Sequence, residues 1–517
     1  MAMSINNLGL LHNNLHRYEE AEEEYKDALN IYRGFLAKNS EVFSPIMALI
    51  LNNLGFLHYN IHCYEDAEKE YQEALELRRR LAKKNPDVFL PDMAVSLNNL
   101  GLLHNDLHHY EDAEEEYKEA LPIYRTLSEK DPEAFLPIMA SILNNLGILH
   151  YNLHHYEDAE KEYKESLDIR RVLSEKDPDA FLPDIAMSLN NLGLLHNDLH
   201  HFEDAENEYK EALEIRRTLS EKNSEPFLPD IAMSLNNLGV LHYNLQRYDE
   251  SVKEYEEVLD IQKILIEQNP EVFLPDIAMT FNNLGLLFYD LLLYEDAEKE
   301  YTEALEINRS LSKTKSNIFL CDVAMNLTNL GNLHQELHCF SKAEKEYYEV
   351  LKIYKSQAKE NPIQFLPKVA EIFFNIGRLY RNNFHYKKSV NNLEKSLEIL
   401  HSLQKENDEF NTFDIINCLD CLSYDYLNTC QALKAELKSK EALSIDNSQL
   451  WIYTNLISSY VMQNKFEEAD NTIPKIQNEK EQMNALFSDW QEFEERGLFT
   501  AEQKIYINKK RSEYNII

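Results

Sequence analysis

Apolar side chains return every three or four residues along most of this chain, and each such series is followed by a short break and a second series. The stretch 183–228 shows the pattern. Its first series predicts a helix opened by Pro183 and consists of Ile185, Leu189, Leu192, Leu195, His196 and Leu199. Its second series predicts another helix and consists of Phe202, Ala205, Tyr209, Ala212, Leu213, Ile215 and Leu219. Each unit is therefore predicted to be two antiparallel helices of about 16 to 20 residues, followed by a loop of about eight.

One glycine marks the same position in the first helix of every unit. The nine glycines are spaced 46 residues apart and are Gly9, Gly55, Gly101, Gly147, Gly193, Gly239, Gly285, Gly331 and Gly377. A fixed period without insertions predicts a repeat array rather than separate globular domains. A single unit buries too little apolar surface to offset the entropy lost when its backbone is ordered. We therefore expect each unit to be stabilised by stacking on its neighbours.

The residues at fixed spacing from the glycine resemble the tetratricopeptide repeat (TPR). Leu192 and Gly193 are followed by Ala205, Tyr209 and Ala212 at the spacing of that family. The usual unit has about 34 residues, so the repeats here are longer. Their sequence motifs, LNNLG and YEDAEKEY with a proline-containing loop, are similar to those of the elongated repeats of kinesin light chains. The resemblance covers residues 2 to about 476 and implies an all-α, right-handed α-solenoid of eleven stacked helix-turn-helix repeats.

The pattern becomes less regular toward the C-terminus. We predict nine 46-residue repeats in residues 1–403 and two degenerate repeats in residues 404–477. In the second segment Ala435 and Ala469 are 34 residues apart, which indicates a change from the long unit to the ordinary one. Residues 478–517 are predicted to form C-terminal capping helices.

The proposed cap has its own helix signals. One apolar stripe at helical spacing consists of Met483, Leu486, Trp490 and Phe493. Gly497 is expected to end that helix, and Thr500 with Gln503 is expected to form a capping box at the start of a last one.

The charge balance bears on the classes of partner. Lys and Arg number 52 against 90 Asp and Glu, for a formal net charge of −38. Such a charge repels nucleic acids and anionic lipid surfaces, so neither is an expected partner. The most apolar run, residues 286–294, is far shorter than the roughly 20 residues of a spanning helix, and no membrane insertion is expected. No signal peptide is visible, and six cysteines over this length do not suggest a disulfide framework, so we expect a cytoplasmic location.

No enzyme signature is visible, and we predict neither catalysis nor a cofactor. The glycines lie too far apart to form a phosphate-binding loop. His150 and His154 illustrate a recurring i, i+4 pair that could bind a metal, but recurrence in several repeats favours a structural role. Cys418 and Cys421 are likewise interpreted as part of a degenerate helix core. No metal site is predicted.

The first helix carries the candidate partner-binding residues. Resemblance to the TPR family implies that they line the concave face that receives peptides. An asparagine two residues before the repeat glycine recurs as Asn7, Asn53, Asn99, Asn145, Asn191, Asn237, Asn283, Asn329 and Asn375. A second set, at the fourth residue after the glycine, consists of Tyr59, Asn105, Tyr151, Asn197, Tyr243 and Tyr289. Stacked amides could pair with an extended backbone; alternatively, the asparagines persist through recent duplication or hydrogen-bond within the array.

Function is predicted at the level of class. We expect a monomeric, non-enzymatic scaffold that binds a peptide or protein segment in the groove. Capture of a terminal carboxylate needs basic residues on this face, and Arg378 and Arg381 are the first to occur there. An alternative is a sensory or regulatory arm of a larger protein whose catalytic domain lies outside this chain. A spacer or self-assembling filament is a third possibility.

Overall fold

The computed structural model describes residues 2–15, 17–36, 40–221, 224–314, 319–406 and 412–514. In these ranges the regular structure is helical throughout, as predicted. The α-helices are α1 Ala2–Asn14, α2 Tyr18–Leu36, α3 Ser40–Asn60, α4 Tyr64–Ala82, α5 Pro86–Asp106, α6 Tyr110–Lys130, α7 Pro132–Asn152, α8 Tyr156–Ser174, α9 Pro178–Asp198, α10 Phe202–Ser220, α11 Leu228–Asn244, α12 Tyr248–Gln268, α13 Pro270–Asp290, α14 Tyr294–Thr314, α15 Leu320–Glu336, α16 Phe340–Gln357, α17 Pro362–Asn382, α18 Tyr386–Glu406, α19 Phe413–Asn428, α20 Ala432–Ile445, α21 Ile452–Met462, α22 Phe466–Thr472, α23 Lys480–Glu495 and α24 Ala501–Glu513.

The chain divides into two compact units, residues 1–265 and 266–517, called here the N-terminal and C-terminal units. In the N-terminal unit α1 packs on α2, α3 on α4, and so on to α9 on α10, and each second helix also packs on the first helix of the next repeat. The same order holds in the C-terminal unit from α13 to α22, with α23 against α21 and α24 against α23. The predicted all-α array of stacked helix pairs is confirmed.

The repeat glycine permits close packing inside each helix pair. A Cβ atom added to Gly9 would lie 2.9 Å from the ring of Tyr25, sixteen residues later on the second helix. The same arrangement recurs in every repeat up to Gly331 and Tyr347. In repeat nine Leu393 takes the place of the tyrosine. Any larger residue at the glycine would displace a fully buried ring.

The turn between the two helices of a repeat uses a left-handed backbone conformation. Its φ lies between 55° and 61° at His62, His108, His154, His200, Gln246, Leu292, His338, Phe384, Cys430 and Asn464. The first nine of these residues follow one another at intervals of 46, and the last interval is 34. The shorter interval agrees with the spacing of Ala435 and Ala469. Because six residue types occupy this turn, the stacked helices and not the local residue impose its conformation.

The first helix begins earlier than predicted. In α9 Asp177 is the N-cap, its Oδ1 accepts a hydrogen bond from the Ala180 backbone N–H at 3.2 Å, and Pro178 is the first helical residue. Pro183, the predicted opening residue, lies inside this helix. The predicted long loop is therefore wrong here, because most of the additional residues extend the first helix. Repeat six is an exception: its Pro226 lies in a short 3-10 turn, and α11 starts only at Leu228.

Stacked repeats of the N-terminal unit meet through matched residue pairs. Arg170, only 2% exposed, donates hydrogen bonds from Nη1 to Ser188 Oγ at 2.5 Å and to the Asp184 backbone oxygen at 3.0 Å. Equivalent pairs are Arg78 with Ser96 and Arg216 with Ser234. Other interfaces place a tyrosine and an isoleucine at the same positions, namely Tyr32 with Ile50 and Tyr124 with Ile142.

The C-terminal helices follow their sequence signals. The predicted stripe of α23 is buried in the core of this unit. Gly497 has a φ of +71° at the end of α23. Thr500 and Gln503 form the predicted capping box of α24, with 2.9 Å from the Thr500 backbone N–H to Gln503 Oε1.

Two of the described helices are long and apolar enough to cross a membrane on length and composition alone. They are the segments Val42–Asn60 and Pro132–Asn152. Half of each is buried against neighbouring helices, as expected for the first helix of a stacked repeat.

Candidate functional site

In five repeats the asparagine two residues before the glycine donates a hydrogen bond within the array. Asn191 donates from Nδ2 to Oδ1 of Asn144 in the preceding repeat at 3.2 Å. The equivalent bonds run from Asn53 to Asn6, Asn99 to Asn52, Asn237 to Asn190 and Asn329 to Asn282, at 2.8 to 3.4 Å. The alternative of hydrogen bonding within the array therefore holds for these five residues. Each of these bonds uses one of the two N–H donors of the amide, so the second N–H and the side-chain oxygen are not engaged by it.

The second set of candidates, four residues after the glycine, behaves differently in alternate repeats. Tyr59 donates its hydroxyl proton to Asp106 of the next repeat, and Tyr151 does the same to Asp198. Where an amide occupies the position, its side-chain oxygen is buried without a hydrogen-bond partner, as found for Asn13, Asn105, Asn197 and Gln335. A buried acceptor without a donor is costly, so each of these oxygens needs a donor that the described residues do not supply.

The paired histidines have separate structural roles. His150 is buried between two carboxylates, with Nδ1 2.7 Å from Glu162 on its own repeat and Nε2 3.2 Å from Glu114 on the preceding repeat. The same clamp recurs at His58, His104, His196, His242 and His334. His154 lies in the left-handed turn, with Nδ1 2.8 Å from the Tyr156 hydroxyl. Among the described residues no three His, Cys, Asp or Glu side chains are grouped to hold a metal ion.

Two adjoining cavities in the C-terminal unit bring three of the predicted residues together. The first cavity, about 280 Å³, lies among the first helices α13, α15 and α17 and is lined by Tyr289, Asn329 and Asn375. The second, about 430 Å³, extends between α17 and α19 and is lined by the apolar atoms of Pro367, Phe374 and Leu400, among others. Both include Glu371 and Asn375. We call the two together the repeat-nine groove. The other predicted residues, apart from Asn283, belong to the N-terminal unit.

The first cavity has both a cation and an unpartnered acceptor. Arg378 lines it together with the carboxylates Glu336 and Glu371, and within the described ranges of the chain Arg378 has no ion pair at salt-bridge distance. Gln335, 7% exposed, also lines it and has a buried Oε1 without a donor. Arg381 differs: Nε contacts Asp425 at 2.7 Å and Nη2 donates to the Cys421 backbone oxygen at 2.6 Å. Of the two arginines that the sequence singled out, only Arg378 is available to a ligand.

A change in the repeat pattern locates this groove. The residue after the repeat glycine is apolar from Leu10 to Leu286, but is Asn332 in repeat eight and Arg378 in repeat nine. Six residues before the glycine, Met325 is followed by Glu371. Burial and the nearby Asp414 raise the pKa of Glu371. The groove thus lies where the residue after the repeat glycine changes from apolar to polar. This departure from the repeat pattern is a sequence signal that could have located the groove.

The Cys418 and Cys421 motif belongs to the helix core, as interpreted. Cys418 is buried and its Sγ lies 3.2 Å from the Leu393 backbone oxygen. Cys421 Sγ accepts a hydrogen bond from Arg381 Nη1 at 3.2 Å. Burial raises the pKa of both thiols, which disfavours the reactive thiolate.

Comparison with family models identifies the repeats. Models of the tetratricopeptide repeat match residues 1–34, 46–126, 138–218, 190–263, 230–310 and 370–399, which together exceed half of the chain. A model of anaphase-promoting complex subunit 5 matches residues 286–373. No curated protein sequence is significantly similar to the chain.

Several solved structures are similar. BtubC (BKLC) from P. vanneervenii, a bacterial kinesin light chain, is 26% identical, with 49% of this chain and 94% of that chain covered and a TM-score of 0.40. The apo form of RapI is 14% identical, with 60% and 99% covered and a TM-score of 0.43. Yeast Tom70 is 12% identical, with 99% and 96% covered and a TM-score of 0.34.

Proposed function

This chain belongs to the tetratricopeptide repeat family, whose members typically bind other proteins, and on that premise we propose that it is a non-enzymatic scaffold holding an extended partner segment in the repeat-nine groove. The match of residues 286–373 to a model named for a subunit of a multiprotein complex supports a protein as the partner. A cytoplasmic location and a monomeric state stay predictions.

The unpaired side-chain oxygen of Gln335, which lines the groove, is the observation that carries this proposal. The same repeat position has buried acceptors without a donor among the described residues at Asn13, Asn105 and Asn197 as well, but only Gln335 belongs to the groove. An extended peptide has backbone N–H groups at regular intervals and can supply donors without regard to its side chains. Satisfying one buried acceptor is worth about 1–3 kcal/mol, so a bond to Gln335 would contribute a part of a micromolar affinity of about −8 kcal/mol, and the other contacts of the groove would supply the rest.

The groove adds two kinds of selectivity to this backbone recognition. Arg378, beside Asn329 and Asn375, would pair with an acidic side chain of the partner. The second cavity would take an apolar side chain against Phe374 and Leu400. The proposed occupant is therefore a segment with an acidic residue next to an apolar one.

The test compares partners recovered from the source cell by the intact chain and by a variant with Gln335→Leu and Arg378→Ala. These changes remove the unpaired acceptor and the free cation without removing a hydrogen bond recorded within the array. A control variant, Lys352→Ala, changes an exposed lysine on α16 outside both cavities. Circular dichroism first establishes that all three proteins fold.

We expect a protein recovered by the intact chain and the control to be absent with the groove variant. A peptide from that partner, titrated by fluorescence anisotropy, should bind the groove variant about tenfold to a hundredfold more weakly, since a charged hydrogen bond and a satisfied acceptor are lost. Recovery of the same partners by all three proteins would remove the groove from consideration.

A further inference from the structure

Repeat nine reverses the charge found at the start of the second helix. This helix begins with two acids in repeats two to seven, at Glu65–Asp66, Glu111–Asp112, Glu157–Asp158, Glu203–Asp204, Asp249–Glu250 and Glu295–Asp296. At the same place α18 has Lys387 and Lys388. Acids suit the positive end of the helix dipole and lysines do not. Helix stability therefore does not explain the two lysines.

The lysines line a cavity of about 570 Å³ at the turn edge of repeats nine and ten, called here the turn-edge pocket. Its walls come from three parts of the chain: Phe384, His385, Tyr386, Lys387 and Lys388; Asn428, Thr429 and Cys430; and Arg496 at the end of α23. Phe384 occupies the left-handed turn and is 71% exposed. An exposed aromatic ring thus lies beside three cations.

Arg496 is held in place as part of this wall. Its guanidinium stacks 4.5 Å from the ring centre of Tyr386 and donates to Asn428 Oδ1. One carboxylate, Glu492, lies 3.5 Å from Arg496 and also accepts from the Tyr424 hydroxyl at 2.9 Å. Lys387 has no ion pair within the described ranges. The pocket therefore retains positive charge that no described carboxylate neutralises.

The surrounding sequence differs from the rest of this acidic chain. Between residues 340 and 406 there are 12 Lys and Arg against 8 Asp and Glu, although the whole chain has a net charge of −38. An acidic partner repelled by most of the surface would be attracted to this region.

We propose that the turn-edge pocket is a second docking site, which receives an acidic segment of a partner protein with an aromatic side chain packed on Phe384. Carboxylates of the segment pair with Lys387, Lys388 and Arg496. The site is separate from the repeat-nine groove and does not depend on the function proposed for it.

The chain offers an internal reporter for this site. Three cysteines at the turn edges, Cys63, Cys339 and Cys430, are exposed, and only Cys430 lines the pocket. The intact chain is treated at low salt with iodoacetamide, with and without the peptide acetyl-EDEFEDE-amide or its neutral counterpart acetyl-QNQFQNQ-amide. Site-resolved mass spectrometry then gives the alkylation rate of each cysteine.

The variant Lys387→Glu/Lys388→Asp restores the acids found in repeats two to seven, so its fold is expected to be retained. The control Lys352→Glu/Lys359→Asp makes the same charge change on exposed lysines outside the pocket. We expect the acidic peptide to slow alkylation of Cys430 alone, in the intact chain and the control. The restoring variant should bind the peptide about tenfold more weakly or not at all.

Several results would overturn the proposal. They are equal protection of all three cysteines, no protection of Cys430 at any peptide concentration, protection by the neutral peptide, and protection that persists in the restoring variant. Loss of protection in Arg378→Ala would place the peptide in the repeat-nine groove and reject the turn-edge pocket. Failure of the groove experiment with success here would reject the groove alone.

Discussion

Gly193 of α9 lies so close to Tyr209 of α10 that a Cβ atom on the glycine would come within 2.6 Å of the ring. We predict that Gly193→Ala lowers the melting temperature. Overpacking of about 1–3 kcal/mol exceeds the about 0.5–1 kcal/mol that alanine adds to a helix. Thermal unfolding followed by circular dichroism measures the change.

Gly34 gives the matched control. It lies in α2 with nothing within 4 Å of the position of an added Cβ. Gly34→Ala should therefore raise the melting temperature slightly. A Gly193→Ala protein as stable as the Gly34→Ala protein would show that the tyrosine ring moves at no cost.

The clamp around His150 predicts that stability depends on pH. Burial lowers the pKa of His150, but the contacts with Glu162 and Glu114 outweigh it and leave the pKa raised. Burial raises the pKa of Glu162, and the hydrogen bond from Lys118 is the main cause that lowers the pKa of Glu114. A raised histidine pKa stabilises the fold fully below about pH 6.5 and ceases to do so as pH rises through the higher folded value.

The melting temperature should therefore fall as pH is raised above about 6.5, and His150→Gln should remove part of that fall. His154→Gln is the control, because the chain already places Gln246 in the same turn of repeat six. Melting curves of both variants and the intact chain at several pH values test this expectation. Identical pH profiles for both variants would mean that the clamp is not the source.

The buried pair Arg170 and Ser188 predicts a coupling energy between stacked repeats. Arg170→Tyr alone and Ser188→Ile alone should each lower stability by about 2–4 kcal/mol, because each leaves a mismatched interface. The double variant reproduces the pairing of Tyr124 with Ile142 and should cost less than the sum. Denaturant unfolding of the four proteins gives the coupling, and strict additivity would contradict it.

The two sets of candidate residues should differ in their effect on stability. Asn191→Ala removes a hydrogen bond to Asn144 and is expected to cost about 0.5–1.5 kcal/mol. Asn197→Ala removes a buried acceptor without a donor and should leave stability unchanged or higher. The melting temperature is measured for both variants. A loss of stability in Asn197→Ala as large as that in Asn191→Ala would assign Asn197 to the fold.

The features that recur in every repeat, and those with a local sequence signal, could be predicted from the sequence. Features that depend on contacts between distant residues could not. The period, the helix pairs and the capping box at Thr500 follow from local patterns. The start of α9 was misplaced because Pro183 fits a helix start as well as Pro178 does, and only Asp177 as N-cap distinguishes them.

The sequence alone does not predict which polar side chains find a partner within the fold and which stay available to a ligand. Arg378 and Arg381 are one helical turn apart, but Arg381 faces Asp425 of a later helix and Arg378 does not. Similarly, the amides of Asn191 and Asn197 are alike in sequence, and only their neighbours show that the first is partnered. Contacts between residues distant in the chain decide both cases.

In this part of the chain, Tyr–Asp pairs join every second pair of neighbouring repeats, so two kinds of interface alternate along the array. Tyr59 meets Asp106 and Tyr151 meets Asp198, while Arg78 meets Ser96 and Arg170 meets Ser188. Deleting the third repeat alone would set Tyr59 against Asn152 and Arg78 against Ile142. Deleting the third and fourth repeats together would set Tyr59 against Asp198 and Arg78 against Ser188, with every pairing kept. In this part of the chain, lengths that differ by an even number of repeats are compatible with the same interfaces, and odd differences are not.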